Sequence, residues 1–324
     1  MSRTARSPSA SPGYAYLLFA AVMVFWGLNW PVMKIGLAYI PPFAFGAVRM
    51  ALGAALLFLV NALRGELRLP ARRDLPVLIS VGVLHMFVSM ACTNLGLKMV
   101  GAGRAALLAY TTPLWVTPGA MLWLGEKLSR RKLVGMLVSL AGLLLLFNPF
   151  AFAWDQPRVI FANGTLLAGA LAWALSILHV RGHRWESTPL QLMPWQMLLA
   201  APLLYSLSLL LEADQPIVVT PVLVTVLGYN SVVATAFGYW ASVTVTRLLP
   251  ATTTSLGFLG APVVAILTSV LFFGEPPSFS LVGGLVAIVG GLAMVVLADS
   301  GDGGANAPGG GRWSSIEDGV ARGS

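Results

Sequence analysis

Between Tyr14 and Met33, the side chains Trp26, Asn29, Trp30 and Met33 recur at i, i+3, i+4 and i+7, which is one face of a helix. Two indoles around an amide can stack on a ring and hydrogen-bond a polar group. That is the chemistry of binding rather than of bond making. An amide in an apolar run must face an interior, because hydrocarbon cannot satisfy it. Comparable faces carry Trp173 with Ser176; Tyr229, Ala236 and Trp240 at i, i+7 and i+11, with Tyr239 beside them; Tyr110, Pro113, Leu114 and Thr117; and Phe258 with Pro262. Each aromatic stripe also reads as ordinary core or lipid-facing packing. His85, with Ser89 and Cys92 at i+4 and i+7, suits either a hydrogen-bonded core position or a relay. Asn230 and Gln196 are polar within apolar runs and are expected to face inward. Arg49 lies seven residues past Pro42, about 10 Å along a helix at about 1.5 Å per residue. It is placed either to snorkel outward or to hold a carboxylate, and a charge at such depth is a site candidate. The candidate binding set is therefore Trp26, Asn29, Trp30, Arg49, His85, Tyr110, Trp173, Ser176, Tyr239, Trp240 and Phe258, with Pro113 and Pro262 as kinks.

Reactive chemistry is hard to assemble from the rest. The twelve acidic residues all fall in expected loops, tails or span ends, so no carboxylate relay is expected inside a bundle. There is no H-E-x-x-H or paired-Asp motif for a metal enzyme. The single cysteine, Cys92, excludes an intramolecular disulfide and a cysteine-cluster metal site. No metal, cofactor or catalytic residue is expected. Glu126 and Glu275 each follow a glycine at matching positions and read as helix caps or partners of loop bases such as Arg130. His179 and His183, near the end of an apolar run, are expected to be solvated.

The elements that must position these residues follow from composition. The chain of 324 residues is 57% hydrophobic and 10% charged, with mean hydropathy +0.81. Soluble domains carry about 25% charged residues, so lipid is the solvent this chain suits. Spans of roughly 20 apolar residues cross a bilayer. Ten are expected: Tyr14–Met33, Pro42–Ala62, Leu75–Leu97, Arg104–Leu124, Leu133–Phe147, Phe161–Val180, Leu190–Leu211, Pro221–Thr244, Thr252–Phe273 and Phe279–Leu297. The Ser/Pro-rich start (1–13) and the glycine-rich end (299–324) read as polar tails, the latter disordered. The net charge of +8 sits in short clusters between apolar runs, which is a topology signal rather than a nucleic-acid face. With the N-terminus inside, Lys and Arg divide 15 inside to 4 outside, with Arg49 in the membrane, accounting for all 20. Both termini are thus expected in the cytoplasm of a bacterial-type plasma membrane, with the chain acting as a monomer.

A repeat organises the spans. At a shift of 149 positions Lys98 meets Arg247, Ala102 meets Ala251, Leu107 meets Leu256 and Pro113 meets Pro262. Gly125-Glu126 meets Gly274-Glu275, Gly135 meets Gly284 and Gly142 meets Gly291, without a gap. Trp26 and Lys34 correspond to Trp173 and Arg181 at a shift of 147. The halves, 14–149 and 150–298, hold five expected spans each. An odd number makes them enter the membrane from opposite sides, and inverted repeats of this kind place substrate near the midplane between them.

Trp26-Gly27-x-Asn29 with Lys34, and the patterns Pro113…Gly125-Glu126…Gly135…Gly142 and Pro262…Gly274-Glu275…Gly284…Gly291, resemble EamA-type proteins of the drug/metabolite transporter superfamily. The resemblance covers about residues 14–298. It implies an all-α membrane fold of ten helices in two inverted repeats and export of small metabolites, often amino acids. Within the family the chain is most similar to exporters of aromatic amino acids. Ala174 and Ser176 replace the Gly27 and Asn29 positions in the second half, so a symmetric pair of polar contacts is not expected there. The reading is a facilitative exporter working by alternating access. A multidrug or organic-cation exporter, and a membrane-embedded enzyme or sensor, stay open as alternatives.

Overall fold

The computed structural model describes residues 12–100, 102–147, 156–264 and 279–301, and among them there is helix and connection but no strand. In the first half α1 (Pro12–Gly36) and α2 (Pro42–Leu63) precede a single 3-10 turn at Arg72–Asp74. From that turn α3 (Leu75–Ser80), a π-helical stretch (Val81–Ser89) and α4 (Met90–Met99) run on without interruption. Then come α5 (Ala102–Ala109), α6 (Thr112–Trp123) and α7 (Arg130–Phe147). The second half repeats the order. It has α8 (Pro157–Gly182), α9 (Pro189–Leu211) and α10 (Pro221–Tyr229), then a second π-helical stretch (Asn230–Phe237), α11 (Gly238–Leu248), α12 (Ala251–Gly257) and α13 (Phe279–Gly301). Helices α2, α8, α9 and α10 each begin on a proline. Its missing N–H is an orphan at a first turn in any case. Thr188 and Gln191 close a capping box ahead of α9.

Among the described residues six helical runs are long and apolar enough to cross a membrane: Gly13–Gly36, Pro42–Leu63, Arg72–Met99, Pro157–Gly182, Pro189–Leu211 and Pro221–Leu248. Shorter helical runs occupy the described parts of the other four expected positions, at α5 with α6, α7, the Ala251–Val264 run and α13, and residues 265–273 of the ninth lie outside the described residues. Large apolar side chains such as Leu17, Leu59, Leu122, Leu209 and Leu210 lie exposed on the outer surface. That is the surface of a multi-pass membrane protein, where lipid rather than water meets the helices.

The kinks expected at Pro113 and Pro262 fall a few residues earlier. A proline ring clashes with the carbonyl four residues before it. Accordingly α5 ends at Ala109 and α12 is followed by a turn at Phe258–Leu259. The freed Ala109 carbonyl accepts from the Thr112 hydroxyl at 2.7 Å, and that of Phe258 accepts from Ala261 N–H at 3.0 Å. The two π-helical stretches also obey the 149-residue shift, Val81 corresponding to Asn230.

Among the described residues, three carboxylates accept backbone N–H groups across the two halves. The side of the bundle on which α1 begins is called the N-terminal side below. There Asp74 accepts from Ser187 N–H at 2.7 Å and Glu186 N–H at 3.1 Å and meets His183 Nε2 at 3.1 Å. On the same side Glu126 accepts from Ala251 and Thr252 N–H, with Arg181 Nε at 3.9 Å. On the opposite side Glu212 accepts from Phe43 and Ala44 N–H. Helices α7 and α13 cross at glycines. A Cβ on Gly135 would sit 2.7 Å from the Gly291 carbonyl oxygen, and one on Gly142 would sit 2.7 Å from that of Gly284. The pairing order is reversed along the two helices, so they run antiparallel.

Two expectations about charged residues change. Glu126 does cap a helix, but one in the other half rather than the helix that follows it, and it faces Arg181 rather than Arg130. His183 is buried against Asp74, because the turn after α8 folds back over the start of α3. Glu275 and the tails at 1–11 and 302–324 lie outside the described residues.

Candidate functional site

A cavity of about 90 Å³ opens at the meeting point of both halves. From the first half α1 contributes Trp26, Asn29, Trp30 and Met33, the face spelled out by the i, i+3, i+4, i+7 spacing. Arg49 comes from α2, and His85, Ser89, Met90 and Thr93 come from the π-helical stretch and α4. Ala109 and Tyr110 come from the break before Pro113, while α8 and α11 of the second half supply Ala170, Trp173 and Tyr239.

An aromatic layer forms the floor. Trp26 stacks on Phe258 with centroids 5.3 Å apart, and His85 stacks on Trp173 at 5.4 Å. Tyr239 lies 4.7 Å from the His85 ring, and Trp26 meets Trp173 edge-on at 5.7 Å. Trp26 is fixed by its indole N–H, which donates to the Ala234 carbonyl inside the second π-helical stretch at 3.0 Å. On the wall above, the Trp30 indole donates to the Tyr110 hydroxyl at 3.1 Å. Gly27 lets α1 approach the backbone of the turn region near Ala261, which a side chain would block.

Polar groups are few. Arg49 is 2% exposed; its Nε donates to Thr235 Oγ1 at 3.1 Å and its Nη1 to the Met90 sulfur at 3.6 Å. Asn29 is buried with its amide oxygen unpartnered, and the Trp173 indole N–H also lacks an acceptor. Among the described residues no carboxylate lines the cavity, and no group of three His, Cys, Asp or Glu side chains is placed to hold a metal. The walls can stack on a ring and can bind polar ends with donors and neutral acceptors.

Eight of the eleven candidate residues meet here: Trp26, Asn29, Trp30, Arg49, His85, Tyr110, Trp173 and Tyr239. Phe258 lies behind the floor, buried against Trp26 and Trp173. Trp240 packs on Phe237 instead, and Ser176 is buried within α8 outside the cavity wall. Tyr229 lines a separate apolar groove between α1 and α10, and its hydroxyl donates to the Phe25 carbonyl. Met90, Thr93, Ala109 and Ala170 were missed, since small or apolar residues carry no distinguishing signal in a hydrophobic sequence. Only Pro113, whose ring clashes with the carbonyl of Ala109 four residues before it, points to any of them.

The EamA-like transporter family model matches residues 13–148 and again 160–297. The chain is 26% identical over 274 residues to "Uncharacterized transporter YoaV" of Bacillus subtilis, covering 85% of this chain and 94% of that one. It is 28% identical over 302 residues to a Salmonella typhimurium protein named "Probable amino-acid metabolite efflux pump", covering 89% and 95%. It is 26% identical over 272 residues to a Streptantibioticus cattleyicolor protein named "Probable terminal-alkyne amino-acid exporter", covering 83% and 89%. A solved crystal structure superposes with TM-score 0.72 at 23% identity, over 89% of this chain and all of that one, a likeness of fold alone. Two tandem matches spanning nearly all of the helical chain, on a bundle whose cavity is shared between its halves, establish that this protein belongs to the EamA-like transporter family.

Proposed function

We propose that the protein exports small metabolites, amino acids or close relatives with aromatic side chains favoured, by alternating access between two inverted five-helix halves. The observation that carries this reading is the central cavity, walled by both halves and floored by stacked aromatic rings. A flat apolar ring gains from offset or edge-on contacts with such a layer. Two relatives named for amino-acid efflux or export support the cargo class. The lining residues Met33, Arg49, Thr93 and Ala109 lie in the halves of their helices remote from the N-terminal side. Under the charge-derived orientation, with ten spans and both termini in the cytoplasm of a bacterial-type inner membrane, that half faces outward. Glu126 and Asp74 fasten the cytoplasmic end in this form. Among the described residues no carboxylate lies on the cavity wall, which supports facilitative transport driven by the cargo's own gradient.

Proteoliposomes loaded with unlabelled aromatic amino acid test this. Counterflow of labelled substrate is expected with no proton or sodium gradient. Absence of counterflow across amino acids, or its dependence on an imposed ion gradient, would remove the cargo class or the facilitative mechanism respectively.

A further inference from the structure

Among the described residues Arg49 is buried without the anionic partner that burial demands. A guanidinium offers five N–H donors and no acceptor, and a cation withdrawn from water is normally paired with an anion. Here Nε has the Thr235 hydroxyl at 3.1 Å, Nη1 has only the Met90 thioether at 3.6 Å, and the Phe45 ring lies 5.4 Å from the guanidinium carbon. A thioether sulfur is a weak acceptor. Among the described residues no carboxylate comes within ion-pair distance of Arg49. Glu212 is committed to the Phe43 and Ala44 N–H groups at the start of the same helix. Two more unsatisfied atoms share the cavity, the Asn29 amide oxygen as acceptor and the Trp173 indole N–H as donor.

We propose that Arg49 anchors an anionic headgroup, a carboxylate, on the transported molecule, and that the Asn29 oxygen receives a donor such as its ammonium. A planar guanidinium matches the two oxygens of a carboxylate, and the Trp173 N–H adds a second donor. The assignment rests on the cavity being the cargo site. It makes Arg49 the residue that selects acids and zwitterions over organic cations, which it repels. The competing role is a structural clamp between α2 and the Asn230–Phe237 stretch through Thr235, and the two roles predict different things.

The test uses the full chain in lipid nanodiscs, followed by tryptophan fluorescence and thermal shift. The probes are phenylalanine, phenylalaninamide, leucine, leucinamide, 3-phenylpropanoate and phenethylamine. Phenylalanine and leucine should each bind at least tenfold more tightly than the matching amide. Arg49→Met should erase that difference while leaving phenethylamine binding unchanged or stronger, and the ligand-free protein should melt no lower than wild type. Arg49→Lys should keep a reduced preference for acids. Asn29→Leu should weaken phenylalanine but not 3-phenylpropanoate. If Arg49→Met does not fold, Arg49→Gln carries the same comparison. Amides binding as tightly as acids, an acid preference that survives Arg49→Met or Arg49→Gln, or no acid binding at millimolar concentration would each overturn the assignment. Counterflow separates it from the export reading: transport without acid preference sinks only Arg49, and acid-selective binding without transport sinks only export.

Discussion

The Glu126 carboxylate accepts the Ala251 backbone N–H at 2.7 Å, so the connection after α6 in one half holds the first turn of α12 in the other. Thr252 N–H, at 3.2 Å, completes the pair. Two donors that no helix bond can satisfy are thereby paired across the boundary that the proposed alternating access would have to break. Glu126→Ala should cost about 0.5–2 kcal/mol, the range for a lost helix cap. It should also raise labelling of a cysteine placed at Thr252 in a Cys92→Ala background. A variant as stable and as closed as the parent would remove Glu126 from the gate.

The aromatic floor makes a second comparison possible. Trp173→Ala should weaken binding of an aromatic amino acid by about 1 kcal/mol from lost ring contacts, roughly fivefold. Trp240→Ala, which removes a similar ring packed on Phe237 rather than on the cavity, should leave affinity within twofold. Thermal stability measured on both variants separates lost binding from lost folding. Equal effects would move the site away from Trp173.

The α7–α13 crossing predicts a sharp contrast between a glycine inside the contact and one beside it. Gly135→Ala places a Cβ 2.7 Å from a backbone carbonyl of α13 and should cost about 1–3 kcal/mol by overpacking. Gly290→Ala, with nothing within 4 Å of the added carbon, should be neutral or slightly stabilising. The melting temperatures of the two purified variants decide it, and similar values would refute the close crossing.

Orientation is checked by labelling from outside the cell in the Cys92→Ala background. A cysteine at exposed Asp214 should react, and one at exposed Arg72 should react only after permeabilisation. The reverse pattern would invert the proposed topology.

Much of this was legible from spacing. The Trp26, Asn29, Trp30, Met33 face survives intact because α1 is a regular helix through that stretch. The stripe through Tyr229, Ala236 and Trp240 does not, and the cause is the π-helical stretch at Asn230–Phe237. A wider turn consumes extra residues, so a phase counted at 3.6 per turn slips beyond it. Past the slip Tyr239 points to the cavity and Trp240 to Phe237. The prolines identified both kinks, yet the breaks lie at Tyr110–Thr111 and Phe258–Leu259, where the ring's clash falls. The fastenings at Asp74, Glu126 and Glu212 were out of reach, because each joins residues more than a hundred positions apart through backbone N–H groups that have no sequence signature.

Under the 149-residue shift Gly135 becomes Gly284 and Gly142 becomes Gly291, so the Gly135–Gly291 contact and the Gly142–Gly284 contact are copies of each other. One pair of glycines therefore contains the information for both. The crossing is thus two-fold symmetric in register: each glycine meets the counterpart of the other glycine on its own helix, so one sequence pattern, written twice, closes the contact from both sides.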